Sequence, residues 1–136
     1  MTNKVEKLIL HHAWTGDTKE SQFSAKDIDR WHKEKGWKGI GYHFYIDRNG
    51  KLERGRDVNE VGAHTKGQND SSIGVCLEGK WSWTMPQVIS LIMLYRMIRD
   101  IHNLTFNDWF CHNDFAEKEG PGFDRATLRM FLSKIA

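Results

Sequence analysis

Residues 42–54 read YHFYIDRNGKLER, and this stretch decides the fold class. Residues 42–46 are aromatic and β-branched, side chains that suit a pleated surface. Residues 51–54 (KLER) supply a polar partner strand. Between them, Asp47-Arg48-Asn49-Gly50 carries an Asn-Gly step, which provides the positive φ that a tight hairpin turn demands. Working outward, residues 7–12 (KLILHH) and 72–77 (SIGVCL) are apolar runs of strand length, too brief for helices. Residues 108–111 (DWFC) predict one more short strand. A first helix is predicted from Ser24, whose hydroxyl suits an N-cap, with Asp27 at the third helical position. Ile28, Trp31 and His32 then recur at spacings of three and four until Gly36 stops the helix. Residues 86–103 carry a wide apolar helical face, and Gly120-Pro121-Gly122 breaks the chain before a closing helix over 124–134. Polar loops are expected over 15–21 and 61–70. The order β-α-β-β-β-α-β-α predicts an α/β fold, a single mixed sheet of about five strands flanked by about three helices. No repeat or linker divides residues 1–136, so one domain is expected.

The chain has 136 residues, enough to bury a single core. Lys and Arg total 20 against 18 Asp and Glu, a formal charge of +2, which offers no dense phosphate neutralisation and argues against nucleic acid as a partner. No apolar run approaches the roughly 20 residues that span a bilayer. The opening MTNKVEKLIL lacks the long apolar stretch of a signal peptide, so a cytoplasmic location in the producing cell is expected. Two cysteines, Cys76 and Cys111, make no disulfide framework. Seven histidines and six tryptophans stand out beside only two prolines, and they point toward acid–base or metal chemistry with an aromatic recognition surface.

His11 and His12 end the first strand, and alternation sends their side chains to opposite faces, so only one of them faces a given pocket. His112 follows the aromatic residues 109–111. Two histidines at the ends of two strands converge if both strands finish at the same end of the sheet, where open sheets bind ligands. A shared metal and two separate structural histidines are both compatible with this spacing. Tyr42 opens a strand, where it either packs the rim or offers a phenol to a reacting water or carbonyl. Lys118 lies in a polar loop, and the donor-rich segment 62–69 suits a polar ligand such as a sugar or peptide. No spacing of Asp and Glu singles out the carboxylate pair of a glycosidase.

Residues 8–12 (LILHH), 28–37 (IDRWHKEKGW), 41–50 (GYHFYIDRNG), 53–57 (ERGRD), 61–79 (VGAHTKGQNDSSIGVCLEG) and 112–124 (HNDFAEKEGPGFD) together resemble the zinc-dependent type-2 N-acetylmuramoyl-L-alanine amidases. That class includes small phage lysozymes with amidase activity and is similar to the animal peptidoglycan recognition proteins. The resemblance implies a hydrolase acting on peptidoglycan, with a groove that takes a glycan strand and its stem peptide. It implies a bacteriolytic endolysin that acts on the wall after release, as a monomer. It implies Zn²⁺ held by His11 and His112, catalytic roles for Tyr42 and Lys118, and substrate contacts from His64 and Asn69. The family pattern ends K-x-C-P or K-x-D-P, with the Cys or Asp as third zinc ligand. Here Lys118-Glu119-Gly120-Pro121 puts glycine at that position. Glu119 is the leading replacement, giving a His₂Glu set. His12, Asp114, Cys111 and Cys76 are the others. If none serves, the resemblance implies a catalytically impaired peptidoglycan-binding module.

Overall fold

The computed structural model describes residues 4–115, 129–130 and 133–134. Five strands form one sheet: β1 (Lys7–His12), β2 (Phe44–Ile46), β3 (Leu52–Arg54), β4 (Ser72–Leu77) and β5 (Trp109–Cys111), in the order β3-β2-β4-β1-β5. β1 runs parallel to β4 and to β5, β2 runs parallel to β4, and the β2–β3 hairpin is antiparallel, so the sheet is mixed as expected. Two α-helices are complete among the described residues, α1 (Ala25–Glu34) and α2 (Met85–His102), joined by short 3₁₀ turns at Asn69–Ser71, Phe106–Asp108 and His112–Asp114. Among the described residues two such helices flank the sheet; the expected closing helix over 124–134 lies largely outside them, and 129–130 and 133–134 are helical.

The central hairpin forms with a different turn from the one anticipated. Asn49 does not adopt positive φ; Gly50 alone does, at 83°. The turn is closed by Asp47, whose Oδ1 accepts from the Asn49 and Lys51 amides at 2.9 Å each. A short acceptor at the first turn position thus closes the turn while Gly50 supplies the positive φ expected of the Asn-Gly step. β2 also begins later than predicted, at Phe44, although the His43 amide still donates to the Gly74 carbonyl and the His43 and Tyr42 carbonyls accept from the Gly55 and Arg56 amides. α1 begins where Ser24 predicts: its amide donates to Asp27 Oδ2 at 2.8 Å, and Gly36 follows the helix at φ +89°. α2 starts at Met85, one residue before the expected Pro86, since Thr84 Oγ1 accepts from the Gln87 amide and Pro86 fits a position that has no amide partner.

Alternation along the inner strands separates two faces. Leu8 and Leu10 of β1, Ile73, Val75 and Leu77 of β4, and Phe44 and Ile46 of β2 meet Leu91, Leu94, Tyr95 and Ile98 of α2. The opposite face holds a smaller apolar cluster of Tyr45 and Cys76 with Ala25, Ile28 and Ile40. Because β1 and β4 are parallel with His11 beside Cys76 and Ile9 beside Gly74, that second face carries Ile9, His11, Gly74 and Cys76.

Two buried ions brace the connections at one end of the sheet. The Glu78 carboxylate accepts from Ser21 Oγ and from the amides of Gln22, Phe23 and Arg48 at 2.7–3.0 Å. The Arg48 guanidinium donates to the carbonyls of Thr18 and Ser82 and to Gln87 Oε1. Each charge is satisfied by several partners, as burial requires.

Candidate functional site

β1 and β5 are parallel neighbours with Leu10 beside Cys111, so the next residue on each chain, His11 and His112, arrives at the same end of the sheet. The structure brings the two rings together: His11 Nδ1 lies 3.0 Å from His112 Nδ1, with ring centroids 4.4 Å apart. The Tyr42 ring stands 5.1 Å from His11. Tyr42 is half-buried, and burial pushes its phenol well above the usual tyrosine range, with Cys76 adding to the shift through charge and a hydrogen bond. The raised pKa favours the neutral phenol, which can act as an O–H donor.

The backbone that presents Tyr42 is held by two other histidines. His32 Nδ1 on α1 accepts from the Gly41 amide at 2.9 Å. His43 Nδ1 accepts from the Gly74 amide at 3.0 Å, and its Nε2–H donates to the Glu60 carbonyl at 2.8 Å. Burial lowers both imidazoles, His32 to about 4, which keeps them neutral and able to accept. Gly41 itself is required, since a Cβ there would come within 2.0 Å of the Ala63 carbonyl oxygen.

His64 enters from the segment after Gly62. Its ring lies over Gly74, where a Cβ would meet the ring at 2.6 Å, so only glycine in β4 leaves the space. In that seat His64 Nδ1 is 3.0 Å from His11 Nε2, on the opposite edge of the His11 ring from His112. Burial, with the nearby His43, His112 and Arg56 charges, pushes His64 down to about 3. Thr65 Oγ1 joins the same corner, 3.0 Å from His64 Nδ1 and 3.2 Å from His11 Nε2. Asn69 shapes the segment: its Oδ1 accepts from the amides of His64 and Thr65 at 3.0 and 2.9 Å. A cleft of about 310 Å³ opens beside it, lined by Trp37, Ala63, His64, Thr65, Lys66 and Asn69.

The donor set was tested against zinc on this geometry. Two nitrogens bonded to one tetrahedral zinc at 2.0–2.1 Å stand about 3.3 Å apart, close to the observed 3.0 Å. His11 and His112 thus fit as two ligands. His64 does not extend the set, because it meets the other nitrogen of His11. Among the described residues no group of three His, Cys, Asp or Glu is assembled for a metal. Lys118, Glu119 and Gly120 lie outside the described residues.

The other third-ligand candidates are engaged elsewhere. Cys111 faces the α2 core and is fully buried. Cys76 shares the face of His11 but packs with Tyr45, Ala25 and Ile28. Asp114 Oδ2 accepts from the Cys111 amide at 2.8 Å, and the His12 ring packs against Trp14 on the far side of β1. Sequence reasoning missed His32, His43 and Thr65. His32 carried a signal: an imidazole on the inner face of α1 has its polar atoms buried and needs a backbone partner.

Residues 1–123 match the family model described as N-acetylmuramoyl-L-alanine amidase. The chain is 41% identical over 117 residues to the endolysin of Enterobacteria phage T3, covering 79% of this chain and 76% of that one. Among solved structures, the N-acetylmuramoyl-L-alanine amidase LysC from Clostridium intestinale URNW superposes with a TM-score of 0.84 at 33% identity, covering 96% of this chain and 86% of LysC. Wild-type Drosophila PGRP-LB superposes with a TM-score of 0.75 at 25% identity, covering 90% and 77%. The match spans nearly the whole chain and includes β1, which carries His11, and the segments that carry Tyr42 and His64. By these likenesses the chain belongs to the N-acetylmuramoyl-L-alanine amidase family and is an enzyme of that class.

Proposed function

We propose that this chain is a zinc-dependent endolysin that cleaves the amide between the lactyl group of N-acetylmuramic acid and L-alanine in peptidoglycan. The observation that carries the zinc reading is the 3.0 Å approach of His11 Nδ1 to His112 Nδ1 at the open end of the sheet. His11 and His112 would hold the ion. When bound, zinc supplies a Lewis acid that brings the pKa of water toward about 7. Tyr42 O–H orients the attacking water beside His11 and keeps its own proton, since its pKa is raised. Lys118 stabilises the negative oxygen that develops on the scissile carbonyl, a contribution of the kind worth on the order of 10²–10³ in rate. Glu119 is proposed as the third ligand in place of the glycine at position 120. His64 and Asn69 border the cleft that takes the glycan and stem peptide. The enzyme acts as one domain and as a monomer, held in the cytoplasm of the producing cell until release to the wall.

The test is digestion of purified cell walls by zinc-loaded and chelator-stripped protein, following turbidity and new free amines. Zinc-dependent release of L-alanine amines without new reducing sugar ends is expected; reducing ends without amines overturn the reading. Gly120 favours a second reading, a wall-binding module without cleavage. Sacculus binding without amine release by the zinc-loaded protein selects that reading. Tyr42→Phe is expected to lower amine release by about 10²-fold while leaving the unfolding curve within about 1 kcal/mol.

A further inference from the structure

His11 is useful as a ligand through Nδ1 only if its proton sits on Nε2, a form a free imidazole favours only weakly, so the hydrogen bond made by the other nitrogen decides how firmly it is held. A chain of contacts behind the ring settles that choice. It begins at a group that cannot donate, the Gln68 carbonyl, which accepts from Ser72 Oγ–H at 2.7 Å. With its proton committed, Ser72 Oγ faces His64 Nε2 as an acceptor at 3.4 Å, and the Ser72 backbone also bonds to the His64 ring. The His64 proton is thereby drawn to Nε2, which leaves a lone pair on Nδ1. That lone pair points at His11 Nε2 from 3.0 Å, and Thr65 Oγ1 offers a second acceptor at 3.2 Å. Two bare nitrogens at 3.0 Å would repel, so the proton between them belongs to His11.

We propose that Ser72, His64 and Thr65 form a positioning relay that holds His11 as the tautomer protonated on Nε2, with Nδ1 presented to a metal. His64 then acts through His11 and is a positioning residue. Its burial over Gly74 serves this purpose, because a ring free to rotate would not keep the polarity of the chain. Partners behind metal-binding histidines commonly contribute 10–100-fold in affinity. The expected gain in zinc binding rests on His11 being a ligand, whereas the tautomer itself does not.

The experiment uses ¹⁵N-labelled, metal-free protein and long-range ¹H–¹⁵N NMR of the imidazoles, followed by zinc titration against a chromophoric chelator. The relay requires both His11 and His64 to carry their protons on Nε2. His64→Phe combined with Thr65→Val removes both acceptors; the His11 Nε2–H tautomer is expected to lose its dominance and zinc affinity to fall about 10–100-fold. His64→Asn combined with Thr65→Val restores an acceptor and should return both to within about threefold of the parent, a rescue that a merely space-filling role would not produce. Protonation of His11 or His64 on Nδ1 in the parent overturns the relay, and that measurement stands even if the Phe variant does not fold. An unchanged tautomer and affinity in the folded Phe variant overturns it as well. Failure to release alanine amines, with the tautomers as stated, overturns the amidase reading and leaves the relay intact.

Discussion

The two faces of the sheet are made of the same strands and behave as different materials. Toward α2, Leu8, Leu10, Val75 and Leu77 pack against Leu91, Leu94 and Ile98 in a mainly aliphatic cluster. One residue along each strand, the other face presents Ile9, His11, Gly74 and Cys76, with His43 and His64 close by. On the α2 face energy comes from removing apolar area from water, which is non-directional and tolerant of detail. On the histidine face, burial is repaid only through specific hydrogen bonds, so position matters more than volume. Period-two alternation lets one strand serve both purposes, provided its register is held.

If that division is right, the two faces break differently. The largest effect is expected from Leu94→Ala, which opens a cavity on the α2 side and should cost about 2–5 kcal/mol in denaturant unfolding. The folded fraction should keep the parent His11 and His112 NMR signals. Gly74→Ala is the counterpart on the other face: its Cβ would press on the His64 ring, and a cost of about 1–3 kcal/mol is expected. Here the His11 and His64 signals should shift, and unchanged signals would dissolve the distinction between the faces.

Acid sharpens the comparison, because burial lowers the pKa of His32, His43 and His64 around the histidine face. His32 has its folded pKa lowered to about 4 from 6.5, chiefly by burial. Below about 6.5 the unfolded chain takes up a proton that the folded chain refuses, so stability falls as pH drops toward about 4 and is unaffected by this group above 6.5. The loss should be on the order of 2–3 kcal/mol. His32→Asn, which offers Oδ1 to the Gly41 amide, should flatten this part of the pH–stability curve; an unaltered slope would exclude His32 as its source. The smallest effect is expected from Ile9→Val, about 1 kcal/mol in unfolding, since a single methyl is removed from the face that relies least on close packing.

The strands and both complete helices were legible because their signals are local: an apolar run, a cap at Ser24, a glycine after the helix. The meeting of His11 and His112 was only conditional in the strand pattern, since it needs β1 and β5 to finish at the same end of the sheet, and the family resemblance is what singled the pair out. The seat of His64 was not, because it depends on a missing side chain at Gly74, ten residues further along the chain, and nothing in the composition of either segment announces the pairing. The buried Glu78 and Arg48 were likewise invisible: each looks like a surface charge at a turn until the amides of residues 22–23 and the carbonyls of Thr18 and Ser82 are brought around them. The Asn49-Gly50 step supplies its positive φ at Gly50, whereas the closing of the turn by the Asp47 side chain gave no signal of its own.

The pairing of Leu8 with Trp109 carries a consequence for how the molecule assembles. β1 is the first strand of the sheet in chain order and β5 the last, so joining them closes a loop of about a hundred residues. Contacts of such sequence separation form late and slowly. The 3.0 Å approach of His11 and His112 is therefore a signature of completed chain closure, and a ligand bridging those two rings would act as a clasp on the finished fold. If zinc binds as proposed, it should slow unfolding far more than it speeds refolding, because the clasp has nothing to grip until β1 and β5 have met.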